Sequence, residues 1–106
     1  MSSSKEYLEF ILQQLSDLDE IEYRYMMGEY ILYYKGKIFG GIYDDRFLIK
    51  PVKSAIDFMP NAKYEIPYKN GKEMLLIDDV DDKERLAKLI KIMYDELPAR
   101  KLKKKK

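Results

Sequence analysis

The sequence predicts a two-layer α+β domain in which an antiparallel sheet of about five strands carries helices on one face, in the order α-β(3)-α-β(2)-α. Three observations lead to this fold class. Residues 26–50 contain three runs of aromatic and β-branched residues separated by two tight turns, a pattern typical of consecutive strands. The segments before and after them have apolar residues at helical spacing. The connections are short, and short connections between neighbouring strands favour antiparallel pairing.

The central strands are separated by residues that favour tight turns. Lys35-Gly36-Lys37 contains a glycine, which adopts the positive φ of a hairpin turn at little steric cost. Asp44-Asp45 is a polar pair that tolerates the same conformation. An alternating segment, residues 21–27, precedes these strands and predicts a further strand with one apolar side. The three central strands are predicted at residues 30–34, 38–43 and 47–49.

Two of the three predicted helices begin at capping boxes. Ser3 is followed three residues later by Glu6, and Asp81 is followed by Glu84 in the same way. In each pair the first side chain bonds to a backbone N–H of the helix, and the second bonds back to the capping residue. The first predicted helix ends near residues 16–19, the second spans residues 52–59 and the third spans residues 83–97.

A second hairpin is predicted between the last two helices. Asn70-Gly71 is a strong signal for a two-residue turn, and residues 63–68 and 72–77 flank it. Pro67 places the first of these strands at an edge or a bulge, because proline has no N–H to donate to a neighbouring strand.

Two segments that could suggest ligand sites have structural explanations. Gly40-Gly41 lies inside a predicted strand without the spacing of a phosphate-binding loop, which favours a crossing helix or strong local coiling. The acidic segment 78–82 lacks the spacing of an EF-hand loop, and acidic residues at a helix start offset the helix dipole. Neither segment predicts a cofactor or metal site.

The composition excludes most kinds of catalysis. The chain has no Cys and no His. A thiolate nucleophile, a cysteine zinc site and the commonest general base near neutral pH are therefore missing. Its carboxylates are dispersed at turns and helix starts, where solvation explains them. We expect a protein that is not an enzyme, with no catalytic residue, metal or cofactor.

The charge distribution divides the chain into a domain, residues 1–98, and a basic tail, residues 99–106. The tail carries six of the 20 basic residues, so the remaining 14 are outnumbered by 19 acidic residues and residues 1–99 have a net charge of −5. A lysine run typically gives weak, non-specific affinity for nucleic acid. The sequence lacks a signal peptide or a membrane-spanning run, which predicts a cytoplasmic location. The candidate nucleic-acid contacts are Arg100, Lys101, Lys103, Lys104, Lys105 and Lys106.

The central strands are apolar on both faces, which suggests that something covers the second face. Tyr30, Leu32 and Tyr34 alternate with Ile31 and Tyr33 along one predicted strand. A small domain usually leaves one face of its sheet in water, so a partner subunit is one explanation. The other is that tyrosine hydroxyls face water over a mixed surface. Tyr30, Leu32 and Tyr34 are the candidate interaction surface, and a homodimer is the expected assembly.

The amino-acid sequence of the central segment resembles that of the N-terminal domain of the TfoX/Sxy family. The resemblance rests on Met26-Met27-Gly28-Glu29, on residues 33–40 (YYKGKIFG) and on residues 44–50 (DDRFLIK). It implies a fold like that of secretion chaperones and TfoX N-domains, often dimeric. Full-length members regulate natural competence together with a transcription activator and carry a second, helical domain. The resemblance transfers no functional residue.

These observations favour a non-enzymatic regulatory or protein-interaction module. The expected partners are a second copy of the chain and a transcription activator or another protein. Two alternatives remain open: a nucleic-acid-associated protein that uses the lysine tail, and a secretion-chaperone-like binding protein. No interaction with a membrane is expected.

Overall fold

The computed structural model describes residues 4–78 and 80–97. Its strands form one antiparallel sheet in the order β1-β2-β3-β4-β6-β5. The α+β prediction is confirmed, although the sheet has six strands because residues 21–26 join it along their whole length. The elements are α1 (Lys5–Gln14), β1 (Ile21–Met26), β2 (Glu29–Tyr34), β3 (Lys37–Tyr43), β4 (Arg46–Ile49), α2 (Lys53–Phe58), β5 (Tyr64–Glu65), β6 (Met74–Leu76), α3 (Lys83–Met93) and a 3₁₀ turn (Tyr94–Glu96).

Three two-residue loops connect the first four strands. Both residues of each loop have positive φ, as a type I′ hairpin turn requires. The turns predicted around Gly36 and at Asp44-Asp45 are confirmed. The first loop lies at Met27-Gly28, one residue earlier than the sequence suggested, because Glu29 already pairs with Met26.

The helix caps stand one residue later than predicted. Ser4 accepts the backbone N–H three residues on at 3.2 Å and begins α1, whereas the predicted cap, Ser3, lies outside the described residues. Asp82, not Asp81, caps α3 by accepting a backbone N–H at 3.1 Å. In both places neighbouring residues could serve equally well as caps, so the pattern alone does not select one. Both α2 and α3 are shorter than the predicted 52–59 and 83–97.

The hydrophobic core lies between the helices and one face of the sheet. Phe39 and Phe47 meet edge to face near its centre, with ring centroids 6.4 Å apart. The same face of β2 contributes alternate residues, while its other residues point to the opposite side. The helices within residues 4–78 and 80–97 are all too short or too polar to span a bilayer. The core also includes Leu8, Ile11, Leu15, Leu32, Ile42, Ile49, Leu75, Leu86, Leu89, Ile90 and Met93.

The first glycine of the Gly40-Gly41 pair lies between a bulge in the β2–β3 pair and a close approach of β4. The register shifts between Leu32 and Tyr33. On its other side Gly40 pairs with Ile49 of β4, and these strands approach so closely that a Cβ on Gly40 would collide with the carbonyl oxygen of Leu48 and lie 2.8 Å from the Ile49 Cα. Local coiling of the sheet, as expected from the sequence, therefore requires glycine here.

The second hairpin is shorter than predicted. The turn lies one residue earlier than predicted, at Lys69-Asn70, since the Gly71 N–H donates to the Tyr68 carbonyl at 2.8 Å and Asn70, not Gly71, has positive φ (69°). The strands around it, however, have only two and three residues. Residues 66–73 form a loop instead, because a side chain from β4 takes the carbonyl oxygens of Ile66 and Pro67.

We expect Gly40→Ala to lower the free energy of unfolding by about 2 kcal/mol or more, because the neighbouring backbone cannot move away from the added methyl group. Urea unfolding followed by circular dichroism measures the change. Ile38→Thr, a β-branched replacement at a half-exposed position of the same strand, is the control and should change the free energy of unfolding by less than about 1 kcal/mol. Equal stability of Gly40→Ala and wild type would contradict the close approach of β3 and β4 at Gly40.

Candidate protein-interaction surface

The face of the sheet opposite the helices carries an apolar groove. The groove has a volume of about 490 Å³. Its floor is β2 and β3, and its walls are the first hairpin loop on one side and the loop at residues 66–73 on the other. We call it the Met–Tyr groove, defined by Met26, Met27, Glu29, Ile31, Tyr43 and Tyr68.

Gly41 lets the ring of Tyr43 lie across the floor of the groove. A Cβ at Gly41 would lie 2.5 Å from the Tyr30 carbonyl oxygen and 2.9 Å from the Tyr43 hydroxyl oxygen, so the ring occupies part of the space that a side chain at position 41 would fill. Tyr43 is consequently buried, on the side of the sheet away from the core. Gly41, like Gly40, therefore lies where neighbouring backbone leaves no room for a side chain, and it also leaves the space that the Tyr43 ring occupies.

Arg46 holds the loop that forms the far wall of the groove. Its guanidinium donates to the Glu65 carboxylate at 2.7 Å and to the carbonyl oxygens of Ile66 and Pro67 at 3.2 and 3.4 Å. These contacts place Tyr68 beside Tyr43, with ring centroids 5.9 Å apart. The wall therefore depends on a side chain from β4 rather than on strand pairing.

Met27 is the most exposed large apolar side chain of the described residues. It is 93 % exposed and has a φ of 52°. A non-glycine residue in this conformation costs about 1 kcal/mol, and the exposed thioether gains no burial in return. Met26 beside it is also exposed. Methionine side chains are flexible and adapt to different apolar partners, which suits them to a binding surface.

The titratable groups that line the groove are Glu29, Tyr43 and Tyr68. Burial raises the pKa of Tyr43 from 10.0 to about 12, and Tyr68 and Glu29 add to the shift. The Tyr43 phenol therefore stays protonated at neutral pH and acts as a hydrogen-bonding group only. Glu29 is the only charged residue among the described lining, and it accepts the Asp44 N–H at 3.0 Å. This arrangement can bind apolar groups, but it offers no general acid–base pair.

Comparison with known proteins identifies the family. A sequence model of the TfoX N-terminal domain matches residues 13–97. The chain belongs to the TfoX N-terminal domain family. It is also similar to a protein of Spirochaeta aurantia described as "Uncharacterized 12.7 kDa protein in trpE 5'region", with 31% identity over 107 residues that cover 100% of this chain and 93% of that protein. No solved structure matches the present chain.

This TfoX N-terminal domain places the predicted interaction residues on the wrong face for a partner. Tyr30, Leu32 and Tyr34 are 9 %, 0 % and 5 % exposed and belong to the core beneath the helices. The correction has a physical reason: three helices cover one face of the sheet, and alternation along β2 assigns these residues to that face. The apolar residue of β2 that lines the groove on the opposite face is Ile31.

The other segments singled out in the sequence of this TfoX N-terminal domain are the basic tail and the acidic segment 78–82. The six basic tail residues, Arg100 to Lys106, lie outside the described residues. Within residues 4–78 and 80–97, no three acidic side chains are grouped to hold a metal ion. Asp82, from the acidic segment, caps α3.

The sequence did not reveal the groove, although two of its signals were present. Met27-Gly28 combined an apolar residue with a hairpin loop, where polar residues are preferred. Gly41 two residues before Tyr43 left room for a ring on the same face of the strand. The contribution of Tyr68 had no local signal, because it depends on Arg46, which lies 22 positions earlier in the sequence.

We expect the burial of Tyr43 to make the stability of the domain depend on pH between 10 and 12. In that range the unfolded chain loses the phenol proton while the folded chain keeps it, so the free energy of unfolding falls as the pH rises. Tyr43→Phe removes this contribution, on the order of 2 kcal/mol across the range. Urea unfolding at several pH values measures the slope. Parallel curves for wild type and Tyr43→Phe would contradict the prediction.

We expect Arg46→Met to loosen the wall of the groove without unfolding the domain. Lys69 and Lys72, both exposed in the loop, provide trypsin sites. Loss of the contacts that Arg46 makes with the loop should cost roughly 1 to 2 kcal/mol locally and speed cleavage there about five- to thirtyfold. Mass spectrometry of the digest measures the rates. Arg85→Met, an exposed arginine on α3, is the control, and equal loop cleavage in both variants would argue against the clamp.

Proposed function

We propose that this chain is a non-enzymatic regulatory module that binds an apolar segment of another protein in the Met–Tyr groove. The observation that carries the proposal is Met27, which is almost fully exposed and held at positive φ. An asparagine before Gly28 would form a more favourable turn and a more soluble surface. A residue that is unfavourable for both the turn and the surface is consistent with a role in binding.

The family supports a regulatory partner, and the groove supports its chemistry. Relatedness to TfoX N-terminal domains is consistent with a transcription activator as the protein that is bound, in competence regulation, with the cytoplasm as the place of action. The lining is apolar, with the Tyr43 hydroxyl as a hydrogen-bonding group. A segment with aliphatic or aromatic side chains therefore fits the groove better than a phosphate or a nucleic acid would.

We expect Met27→Asn to abolish binding while stabilising the fold. The substitution replaces a costly turn residue by a favourable one and should raise the free energy of unfolding by about 0.5 to 1 kcal/mol. The same substitution removes the methionine from the groove wall and should reduce capture of the partner about tenfold or more, as expected for a hot-spot residue. Affinity capture from the cells that express the protein, quantified by mass spectrometry, measures the second effect.

Lys35→Asn is the matched control. Lys35 occupies the same position in the next hairpin loop, with a φ of 51° and a glycine after it, at the other end of the strands. This variant should keep the wild-type partners. If Met27→Asn retains them as well, the groove is not the binding surface.

The regulatory part of the proposal has its own readout. Deletion of the gene followed by transcript sequencing identifies the dependent genes. Complementation with wild type or Lys35→Asn should restore their levels, and Met27→Asn should not. Unchanged transcripts after deletion would argue against a regulatory role.

A further inference from the structure

One edge of the sheet is open over six residues. β1 pairs with β2 on one side, and the described residues place no strand on the other. An edge strand of this length presents unpaired N–H and C=O groups that another strand can join. The opposite edge is β5, which has only two residues. The open hydrogen-bonding capacity is therefore concentrated on β1.

The first hairpin loop determines which backbone groups of β1 face outward. A two-residue loop makes its flanking residues, Met26 and Glu29, a hydrogen-bonded pair, and such pairs then alternate along the strands. The Lys35 N–H donates to the Glu20 carbonyl oxygen at 3.1 Å, so residues 20 and 35 form a hydrogen-bonded pair, as this alternation requires. The outward N–H and C=O groups consequently belong to residues 21, 23 and 25.

The charges on β1 select one way of pairing with a second copy. Antiparallel pairing with Tyr23 opposite Tyr23 of the second copy places Glu22 opposite Arg24 of that copy, twice by symmetry. Sliding the strands by two residues in either direction places Glu22 opposite Glu22 or Arg24 opposite Arg24. A slide by one residue would put outward groups opposite inward ones. Opposite charges in facing positions stabilise a strand pair and like charges destabilise it, so one register is favoured.

The exposed rings on β1 fit the same register. Tyr23 and Tyr25 are 48 % and 59 % exposed, although they point to the helix-covered side of the sheet. Both contact Tyr30, with ring centroids 5.9 and 5.1 Å away, and neither belongs to the buried core of the described residues. In the favoured register Tyr25 lies opposite Ile21 of the second copy, so the pairing buries these rings against apolar side chains.

We propose that two copies of this chain pair antiparallel along β1 about a two-fold axis at Tyr23, which joins their sheets into one. Charged edge residues often prevent strand addition. Here they oppose the registers two residues away on either side and support the favoured one, so they help to select the register. The proposal goes beyond the binding function of the groove, because the pairing uses residues 21–25 and leaves Met27 free.

A cysteine scan tests the axis directly, because the chain has no native Cys and each variant carries a single thiol. In the proposed dimer, the Cα atoms at position 23 lie about 5.5 Å apart, which a disulfide can span. The Cα atoms at positions 22 or 24 lie roughly 8 Å from their symmetry mates, beyond that reach. Under mild oxidation Tyr23→Cys should therefore form a covalent dimer at least about tenfold faster than Glu22→Cys or Arg24→Cys.

Charge reversal tests the register without a cross-link. Glu22→Arg should weaken the dimer about tenfold or more in sedimentation experiments, and Glu22→Arg combined with Arg24→Glu should restore it. Met27→Asn should dimerise like wild type, which separates this proposal from that of the groove. A monomeric wild type, or fastest cross-linking at position 22 or 24, would overturn the proposal.

Discussion

The length of the hairpin loops is the constraint on which most of this structure depends. The first four strands are joined by three loops of two residues, all with positive φ. Such loops fix which residues face each other, and the alternation of strands then determines the direction of every side chain. Leu32 is directed to the helices and Ile31 to the groove for this reason. A loop longer by one residue would permit a different register and exchange their environments.

The same constraint has a free-energy cost, which is partly offset in one hairpin loop and not in another. Positive φ is unfavourable for Met27 and Lys35, and each costs about 1 kcal/mol. At Lys35 part of the cost is offset by the ammonium group, which lies 5.4 Å from the centre of the Tyr34 ring. Met27 is 93 % exposed, so burial offers it little compensation within the described residues. Two residues in equivalent loops thus differ in a way that stability alone does not explain.

Much of the fold could be predicted from the sequence, because its strands and helices have periodic apolar patterns of their own. The helix caps were predicted one residue too early, because Ser4 and Asp82 each follow a residue of the same type. The short β5 and β6 were overestimated because Asn70-Gly71 is a turn signal in both a hairpin and a loop. The outcome there depends on the contacts of Arg46, which no local pattern contains.

The candidate site was less predictable than the fold, for a reason visible in β2. Its two faces are both apolar, so the pattern could not indicate that Tyr30, Leu32 and Tyr34 would be covered by the chain's own helices. Assigning the faces requires knowing where the helices lie. The groove also requires Tyr68, whose position is fixed by contacts across the sheet. Surfaces made by distant segments are set by tertiary structure, and periodicity carries little information about them.

In the proposed dimer, pairing along the β1 edge would leave the affinity of each Met–Tyr groove unchanged, but it would fix the distance between the two grooves. Pairing along residues 21–25 leaves both grooves open, at opposite ends of the paired strands. Met27 of one copy lies eight residue steps along the strand direction from Met27 of the other, roughly 27 Å. A partner with one apolar segment would bind each groove as it binds the monomer. A partner with two segments at that spacing would gain from the effective concentration of the second groove, so dimerisation would select partners by spacing rather than by additional contacts.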